Sequence, residues 1–494
     1  MAVARTRSIA LLGLTGVVVD IETDHSGGLP GFALIGLPDA ALSQSKDRVR
    51  AAIGNSGADF PTQKVIVNLS PAALPKHGSA FDLGIALSIL AASGVVPAEA
   101  IDGVVHLGEL GLDGRLRPTV GILPAVVAAA RAGYTTVVVP TANADEAALV
   151  EGVRVVPVAS LRAAAIRHGA ELDPEPVEPI LPPVPTAMRH DHPLDLADVV
   201  GAGEAVDALV AAAAGGHHVF LLGPPGAGKT MLAARLPGIL PDLDADAALD
   251  VGSLRSLAGL PVGDHLSVRP PFEAPHHTAT AAALVGGGSA VIRPGAAARA
   301  SHGVLFLDEA PEFRAAVLDA LRQPLESGVI TIHRANAIAT FPGRFQLVLA
   351  ANPCPCGQHG APDAECSCAP HARRRYLARL SGPLLDRIDI QLRVRRVSAA
   401  EVRVAAETPS LGSAGARERV LRARACAAER WRDTSWRLNA DVPGSWLRRP
   451  GMRLPPATTA AIDRALERGL LTMRGYDRVL RLAWTSNPPM FADH

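Results

Sequence analysis

The stretch "VFLLGPPGAGKTMLAARL" constrains the fold of this chain more than any other part of it. An apolar run typical of a buried strand precedes a glycine-rich loop, and a helical pattern follows the loop directly. This is the context in which the spacing G-x-x-x-x-G-K-[ST] binds a nucleotide. The backbone N–H groups of such a loop surround phosphate oxygens, so the sequence predicts an α/β fold that binds ATP and Mg²⁺. The expected contacts are Gly223, Pro224, Pro225, Gly226, Ala227, Gly228, Lys229 and Thr230.

Within this loop two side chains have separate expected roles. Lys229 is expected to neutralise the charge of the β/γ-phosphates, and the hydroxyl of Thr230 is expected to ligate Mg²⁺. A chance glycine-rich turn is the alternative. It does not explain why the lysine and the threonine follow the last glycine at the spacing that the chemistry needs.

A second apolar strand, in "HGVLFLDEAPEF", ends in two carboxylates. A carboxylate pair at the end of a buried strand is costly unless it meets a cation. We expect Asp308 to hold Mg²⁺ through water and Glu309 to orient and polarise the water that attacks the phosphate. The alternative is an ordinary acidic turn at a strand end.

Two further polar residues follow at strand ends or turns. "FQLVLAANPC" ends in Asn352, whose amide can hydrogen-bond the γ-phosphate and the attacking water. "LSGPLLDRIDI" carries Arg387 between Asp386 and Asp389. Arg387 is either part of a surface ion pair or an arginine finger offered to the γ-phosphate of a neighbouring subunit, which requires a ring.

The distribution of strand and helix patterns divides the chain into four segments. Residues 1–170 mix short strands with Ala-rich helices, and the proline-rich segment 171–193 reads as a stiff linker. Strands alternate with helices over 194–397, which predicts a parallel sheet, whereas 398–494 is helical and rich in arginine.

The order of these motifs resembles the ComM/YifB family of magnesium-chelatase-like AAA+ ATPases. The resemblance covers nearly the whole chain and includes "RPPFEAPHHTATAAALVGGG", "LRQPLESG", "NPCPCG", "SGPLLDRID" and "MRGYDRVLRLA". It implies an AAA+ parallel sheet followed by a helical lid. It also implies that Arg474 contacts the γ-phosphate from the lid, with Arg478 and Arg481 as alternatives.

The first 170 residues resemble the α+β Lon-protease-like domain that this family carries. The matching stretches include "VNLSPAALPKHGSAFDLGIALSIL". Lon uses a serine activated by a lysine, but the ungapped match places Ala80 and Leu123 at these positions, with Ser79 one residue away. A serine is not activated as a nucleophile without its base, so we expect no peptidase activity.

Four of the five cysteines lie close together, in the pattern C-x-C-x₉-C-x-C. Four thiolates satisfy tetrahedral Zn²⁺, although the C-x-C arms are tighter than the usual C-x₂-C. A zinc site here would rigidify the loop that leaves the Asn352 strand. His359 or His371 is an alternative ligand, and unmetallated thiols or a redox switch are alternative readings. The four are Cys354, Cys356, Cys366 and Cys368.

The resemblance implies a homo-hexameric motor that acts on branched or single-stranded DNA and drives branch migration during the integration of transforming DNA. The Arg-rich stretch 371–396 could contact DNA phosphates, although the formal net charge of the chain is zero. A chaperone-like ATPase that remodels a protein partner, as magnesium chelatase does, is the main alternative. A third hypothesis is a scaffold protein whose assembly is controlled by ATP. Such a scaffold does not hydrolyse ATP and therefore does not require Glu309, Asn352 and Arg387.

The two ends of the chain lead to expectations about location and the lid. The apolar N-terminal stretch runs into the alternating strand pattern "VVVDIETD" rather than a cleavage site, so we expect a cytoplasmic protein without a membrane anchor. The family's lid continues as a further helix where this chain reads "SNPPMFADH". Because prolines end helices, we expect that part of the lid to be truncated or altered.

Overall fold

The computed structural model describes residues 3–26, 29–36, 40–181, 194–288, 292–334, 337–360, 365–407 and 411–486. Most of the proline-rich linker, 182–193, and the C-terminal residues 487–494 lie outside this description. The predictions about linker stiffness and the altered end of the lid therefore stay predictions. No helix in the described ranges is long and apolar enough to cross a membrane.

The N-terminal part is built on a mixed sheet of seven strands among the residues described, in the order β3-β4-β2-β1-β5-β8-β9. β6 and β7 form a separate antiparallel pair. The strands are β1 Ala4–Leu12, β2 Thr15–Ser26, β3 Gly31–Ile35, β4 Lys64–Ser70, β5 Val105–His106, β6 Glu109–Leu110, β7 Leu116–Arg117, β8 Thr136–Pro140 and β9 Arg154–Val158. The helices are α1 Ala40–Ser43, α2 Ser45–Asn55, α3 Asp82–Ala92, α4 Ala98–Ile101, α5 Ile122–Arg131, α6 Ala144–Ala148 and α7 Leu161–Arg167, with a 3₁₀ turn at Thr141–Asn143.

Local sequence accounts for several of these elements. β4 alternates between exposed or half-buried and buried residues, as its period-two apolar pattern predicts. α3 is apolar along nearly its whole length and is buried on all sides. The predicted helix around Ile122 ends where Gly133 takes a left-handed φ of 87°, which a residue with a Cβ adopts reluctantly.

The nucleotide-binding part contains a five-stranded sheet within the described chain, in the order β11-β14-β17-β10-β18, and all its pairings are parallel as predicted. β12–β13 and β15–β16 are antiparallel hairpins. The strands are β10 Val219–Leu222, β11 Phe272–Glu273, β12 Gly286–Gly287, β13 Arg293–Pro294, β14 Val304–Leu307, β15 Val329–Arg334, β16 Ala337–Pro342, β17 Gln346–Ala351 and β18 Ile390–Arg393. The helices are α8 Gly203–Gly215, α9 Lys229–Ile239, α10 Ala245–Leu257, α11 Ala281–Val285, α12 Ala296–Arg299, α13 Ala315–Asp319, α14 Arg322–Ser327, α15 Pro370–Leu377 and α16 Gly382–Leu385, with 3₁₀ turns at Leu196–Asp198 and Ala310–Glu312.

The polar residues that follow the central strands lie at one edge of this sheet. Every residue of β14 and β17 is buried, which is typical of parallel strands covered on both faces. Leu222 pairs with Ala351 and Leu307 pairs with Leu349. Parallel strands end on the same side of a sheet, so the phosphate-binding loop, the acidic pair and Asn352 leave the sheet together.

The C-terminal lid consists of helices joined by turns and loops, and its described residues contain no strand, as predicted. Its helices are α17 Ala399–Glu407, α18 Ser413–Arg430, α19 Gly444–Leu447, α20 Pro456–Glu467 and α21 Met473–Thr485, with a 3₁₀ turn at Asn439–Asp441. All four tryptophans of the chain pack in its core: Trp431, Trp436, Trp446 and Trp484. His217, at the base of β10, joins the lid to the sheet because its two ring nitrogens lie 2.9 Å from Asp389 Oδ2 and 2.7 Å from Thr485 Oγ1.

Turns and helix ends of the N-terminal part contact the nucleotide-binding part directly. Gly13, in the turn between β1 and β2, forms a parallel bridge with Thr340 of the β15–β16 hairpin. At the start of α5, the N–H groups of Gly121 and Leu123 donate to the carbonyl and hydroxyl oxygens of Ser256, at 3.1 and 3.3 Å.

Candidate active site

Lys229 is buried at the start of α9 and its ammonium is held by three acceptors. It donates to the carbonyl oxygens of Gly223 at 2.7 Å and Pro224 at 3.0 Å, and to Asn352 Oδ1 at 3.1 Å. Burial lowers the pKa of Lys229, against the opposing effect of two nearby carboxylates. The fold therefore brings the predicted lysine and the predicted asparagine together, although 123 positions separate them in the chain.

The predicted magnesium ligands also meet. Thr230 Oγ1 donates to Asp308 Oδ2 at 2.7 Å, and the other oxygen of Asp308 accepts from the backbone N–H of Glu309 at 2.9 Å. A hydroxyl and a carboxylate oxygen are ligand types that Mg²⁺ takes beside phosphate oxygens, so the donors present fit this ion.

Glu309 has a backbone φ of 50°, in the left-handed region that a residue with a side chain rarely adopts. This conformation ends β14 sharply and leaves the carboxylate exposed. Its Oε2 lies 3.2 Å from Nδ1 of His277, which follows β11 in the neighbouring position of the sheet. Strain of this kind persists where the surrounding structure holds it.

His277 is a site residue that the motif analysis did not single out. Its sequence signal is "PHHT", which carried the family resemblance but had no assigned role. The His277 ring is half-buried and makes an edge-to-face contact with Phe313, at 6.5 Å between centroids. The arrangement holds an imidazole nitrogen against the carboxylate expected to polarise water.

The predicted arginines lie at the turn around α16, in contact with residues other than the phosphate-binding loop. Arg387 bonds to Glu326 and to the carbonyl oxygen of Pro383. Arg474 lies 3.4 Å from Asp386 and its side chain is 68% exposed. Burial lowers the pKa of Arg387, as do the neighbouring cations of Arg322 and Arg474.

The two alternative lid arginines hold the backbone in place instead. Arg478 donates to the carbonyl oxygens of Leu385 at 3.0 Å and Ile388 at 2.8 Å. Arg481 donates to the carbonyl oxygen of Val442 at 2.8 Å. Of the three lid arginines considered, Arg474 is the one whose contacts leave it best placed to meet a ligand.

The four clustered cysteines converge as a metal site requires. All four sulfur atoms lie within 4.8 Å of one another. The Sγ atoms of Cys354, Cys356 and Cys366 are separated by 3.3, 3.7 and 3.7 Å. Zn–S bonds of about 2.3 Å in a tetrahedron give S–S edges of about 3.8 Å, so the donor set fits Zn²⁺.

The arrangement of the side chains favours cysteine over histidine as the ligand type, although the pKa values of the thiols differ. The Gln358 backbone N–H lowers the pKa of Cys356 to about 6, whereas burial raises the pKa of Cys354 to about 11. Among the described residues the convergent group contains only cysteines. His359 Nδ1 instead lies 2.8 Å from Arg373 Nη1, so the alternative of a histidine ligand is not supported.

Part of the Arg-rich stretch 371–396 has partners within the chain, and its predicted contact with DNA phosphates stays a prediction. Arg379 pairs with Glu312 at 2.9 Å, and Arg396 donates to the carbonyl oxygen of Pro225 at 3.1 Å. Arg374 and Arg375, on α15, are exposed.

A cavity of about 250 Å³ lies beside Ala80, the residue that the resemblance to Lon puts at the position of the catalytic serine. Ser79, Ala80 and Gly121 line one side, and Leu257 and Arg293 of the nucleotide-binding part line the other. The Ser79 hydroxyl donates to Glu109. The nearest lysine in sequence, Lys76, donates to the carbonyl oxygens of Gly36 and Leu69, both at 2.9 Å, so its ammonium supports the fold.

Comparison with protein families gives matches along most of the chain. The model for "Magnesium chelatase, subunit ChlI" matches residues 195–402, the model for "Subunit ChlI of Mg-chelatase" matches residues 21–143, and the model for "Magnesium chelatase, subunit ChlI C-terminal" matches residues 410–486.

Three relatives illustrate the similarity. "Competence protein ComM" of Haemophilus influenzae is 40% identical over 486 residues, 98% of this chain and 93% of that protein. The uncharacterized protein YifB of Escherichia coli is 38% identical over 493 residues, 98% of this chain and 92% of that protein. A Lon protease of Trichlorobacter lovleyi is 26% identical over 162 residues, 30% of this chain and 20% of that protein.

Proposed function

This chain belongs to the ComM/YifB family of magnesium-chelatase-like AAA+ ATPases, and on that premise we propose that it is a ring-forming, ATP-hydrolysing motor that acts on DNA. The observation that supports ATP hydrolysis most directly is the hydrogen bond of 3.1 Å between Lys229 and Asn352. We propose that Lys229 binds the phosphates and that Asn352 senses the γ-phosphate, and this contact supports the proposal because it joins the two side chains beside Thr230 and Asp308.

We assign the chemistry as follows. Lys229 exchanges its carbonyl contacts for the β/γ-phosphate oxygens, and Asn352 turns its amide to the γ-phosphate. Thr230 and Asp308 hold Mg²⁺, which neutralises charge on the phosphates. Glu309 accepts the proton of the attacking water, since it is the exposed carboxylate next to the proposed metal ligand.

Arg387 and Arg474 complete the site of a neighbouring subunit in a homo-hexameric ring under this proposal. Both lie at the turn around Asp386, and Arg474 is largely exposed. An arginine supplied by a neighbour stabilises charge that develops on the γ-phosphate. Because these arginines come from the neighbouring subunit, ATP hydrolysis in one subunit depends on the position of the neighbouring subunit.

We propose branched DNA as the substrate and branch migration as the activity, in the cytoplasm. The similarity to a competence protein supports a role near DNA. The exposed Arg374 and Arg375 are suited to phosphate contacts because nothing in the described chain neutralises them. No disulfide joins any of the five cysteines, which fits a reducing compartment. The proposed cofactors are ATP, Mg²⁺ and one structural Zn²⁺ in the cysteine cluster.

A remodelling ATPase that acts on a protein partner is the second candidate. The match of residues 195–402 to a magnesium chelatase subunit favours it, because the matched region contains the phosphate-binding loop, Asp308, Glu309, Asn352 and Arg387. The two functions predict different responses to DNA.

The test is the rate of ATP hydrolysis by the full chain with and without a four-way DNA junction, at low and at physiological salt. A DNA motor should be stimulated several-fold, and the Arg374→Ala/Arg375→Ala variant should lose the stimulation. Arg468→Ala, at an exposed lid arginine, is the matched control. ATP hydrolysis that no DNA stimulates would favour the protein-remodelling function.

A further inference from the structure

The loop that carries the four cysteines lies directly against the phosphate-binding loop. Gly357, in this cysteine loop (residues 353–368), is buried and has a φ of 77°. A Cβ atom placed on Gly357 would lie 2.6 Å from both Cγ and Cδ of Pro225, and 3.9 Å from Cγ of Asn352. Carbon atoms pack at about 3.5–4.0 Å, so only a glycine lets the two loops touch.

We propose that a zinc ion held by the four cysteines braces the phosphate-binding loop, so that zinc occupancy sets the affinity for ATP. This inference rests on the proposed ATPase function and extends it to regulation of the same site. The sequence predicts that a zinc site rigidifies the loop that leaves the Asn352 strand. The contact with Pro225 extends the effect to nucleotide binding itself.

The cysteine loop has little other means of holding its shape. Its described residues form no helix or strand. The backbone N–H of Gly357 donates to the carbonyl oxygen of Cys354 at 2.9 Å, so these two residues share one tight turn. Cys354 is fully buried and belongs to the convergent thiol group. A metal bound to Cys354 would hold this turn in one conformation. The turn in turn holds Gly357 against the ring of Pro225.

Pro225 is held at two points. Its ring meets Gly357, and its carbonyl oxygen accepts the hydrogen bond from Arg396. It precedes Gly226, whose φ of 76° gives the loop its phosphate-binding shape. Loss of one restraint lets the free loop sample more conformations, and binding must then order it again. Zinc-free protein should therefore bind ATP more weakly even though every phosphate-contacting residue is intact.

Two glycines of the cysteine loop provide a matched pair of variants. Gly357 and Gly360 have nearly the same left-handed φ, 77° and 78°, so alanine strains the backbone equally at both. A Cβ at Gly360 meets nothing within 4 Å. We expect Gly357→Ala to raise the Kd for ATP at least tenfold while the protein keeps about one zinc per chain, and Gly360→Ala to stay within twofold of wild type.

A rescue variant separates the contact from general damage to the loop. Pro225→Ala removes the Cγ and Cδ atoms that the Gly357→Ala methyl group would meet. The double variant should therefore bind ATP more tightly than Gly357→Ala alone. Circular dichroism and the fluorescence of the lid tryptophans report whether each variant is folded. If Gly357→Ala does not fold, the ATP affinities of zinc-free and zinc-bound cysteine variants decide the question.

The zinc comparison uses Cys366→Ser and Cys426→Ser, since Cys426 is exposed and lies outside the thiol cluster. Cys366→Ser should lose zinc by elemental analysis and raise the Kd for ATP at least tenfold, and Cys426→Ser should change neither. A folded, zinc-free Cys366→Ser protein with the wild-type Kd would overturn the proposal. Wild-type protein that binds no ATP would instead overturn the proposed ATPase function, so the two failures are distinguishable.

Discussion

Nδ1 of His277 lies 3.2 Å from Oε2 of Glu309, so an imidazole from the segment after β11 holds the carboxylate that follows β14. Glu309 stands in a left-handed backbone conformation, and Phe313 packs against the His277 ring. The contact links two neighbouring strand ends. The contact with His277 orients the carboxylate of Glu309, which is otherwise exposed to solvent.

Replacement of His277 should reduce the rate of hydrolysis more than the affinity for ATP. We expect His277→Ala to lower kcat roughly tenfold, within the ~100-fold range of a misplaced catalytic group, with KM changed less than twofold. His265→Ala, at an exposed histidine, is the control. Steady-state kinetics give both constants. A rise in KM without a fall in kcat would contradict the positioning role.

Lys229→Ala should abolish ATP binding, because the buried ammonium is the cation placed at the start of α9. Its removal also leaves the carbonyl oxygens of Gly223 and Pro224 without their donor. Titration with a fluorescent ATP analogue measures the effect. Undiminished binding by the folded variant would show that the phosphates lie elsewhere.

Glu309→Gln should keep ATP binding and lose hydrolysis. Glutamine occupies the same volume but cannot accept the proton of the attacking water, so we expect kcat to fall at least ~100-fold. The Kd for ATP should stay within twofold of wild type, which distinguishes this variant from Lys229→Ala. Normal turnover by the glutamine variant would exclude Glu309 as the base.

Mixing two inactive variants tests whether Arg387 acts on a neighbouring subunit. Arg387→Ala subunits keep an intact phosphate-binding loop, and Lys229→Ala subunits keep an intact Arg387. If the arginine acts across the interface, mixed rings should regain part of the wild-type ATPase rate. Co-purification of differently tagged subunits shows that mixing occurred. No recovery in demonstrably mixed rings would argue that Arg387 acts elsewhere, for instance in its pair with Glu326.

The N-terminal part should lose stability as the pH falls below about 6.5, the ordinary histidine pKa. Burial lowers the pKa of both His106 and His168, whose Nε2 atoms lie 3.0 Å apart, and the pKa of His106 lies well below the ordinary value. At low pH the two histidines are protonated more readily in the unfolded chain than in the folded chain. Their contribution to the free energy of unfolding is therefore present above pH 6.5 and is lost as the pH falls. The loss reaches at most about 1.4 kcal/mol per pH unit for each imidazole.

Hydrogen exchange of β5 between pH 7.5 and 5, corrected for intrinsic rates, measures this loss. Protection should fall with pH in wild type and in the control His265→Ala, whose side chain is exposed. Protection that does not change with pH would contradict the assignment of His106 and His168 as a neutral buried pair.

Local patterns in the sequence predict the parallel sheet, the order of the motifs and most of the candidate site residues. The spacing from Gly223 to Thr230, the carboxylates after β14 and the asparagine after β17 are local patterns. Parallel strands bring their ends to one edge, but the contact of Lys229 with Asn352 also requires β17 to lie next to β10, which the strand pattern does not specify. The thiol cluster was equally local, because its four members are close in the chain.

Contacts between side chains from distant segments depend on tertiary packing, because no sequence motif links those segments. His277, which the motif analysis left without a role, meets Glu309 because β11 pairs with β14. Arg478 and Arg481 turned out to hold backbone carbonyl oxygens, and Arg474 to remain exposed, because the face that α21 presents depends on how the lid packs. The contact of Gly357 with Pro225 arises from two irregular loops. Loop paths depend on long-range packing rather than on periodicity, so no local pattern in the sequence encodes that contact.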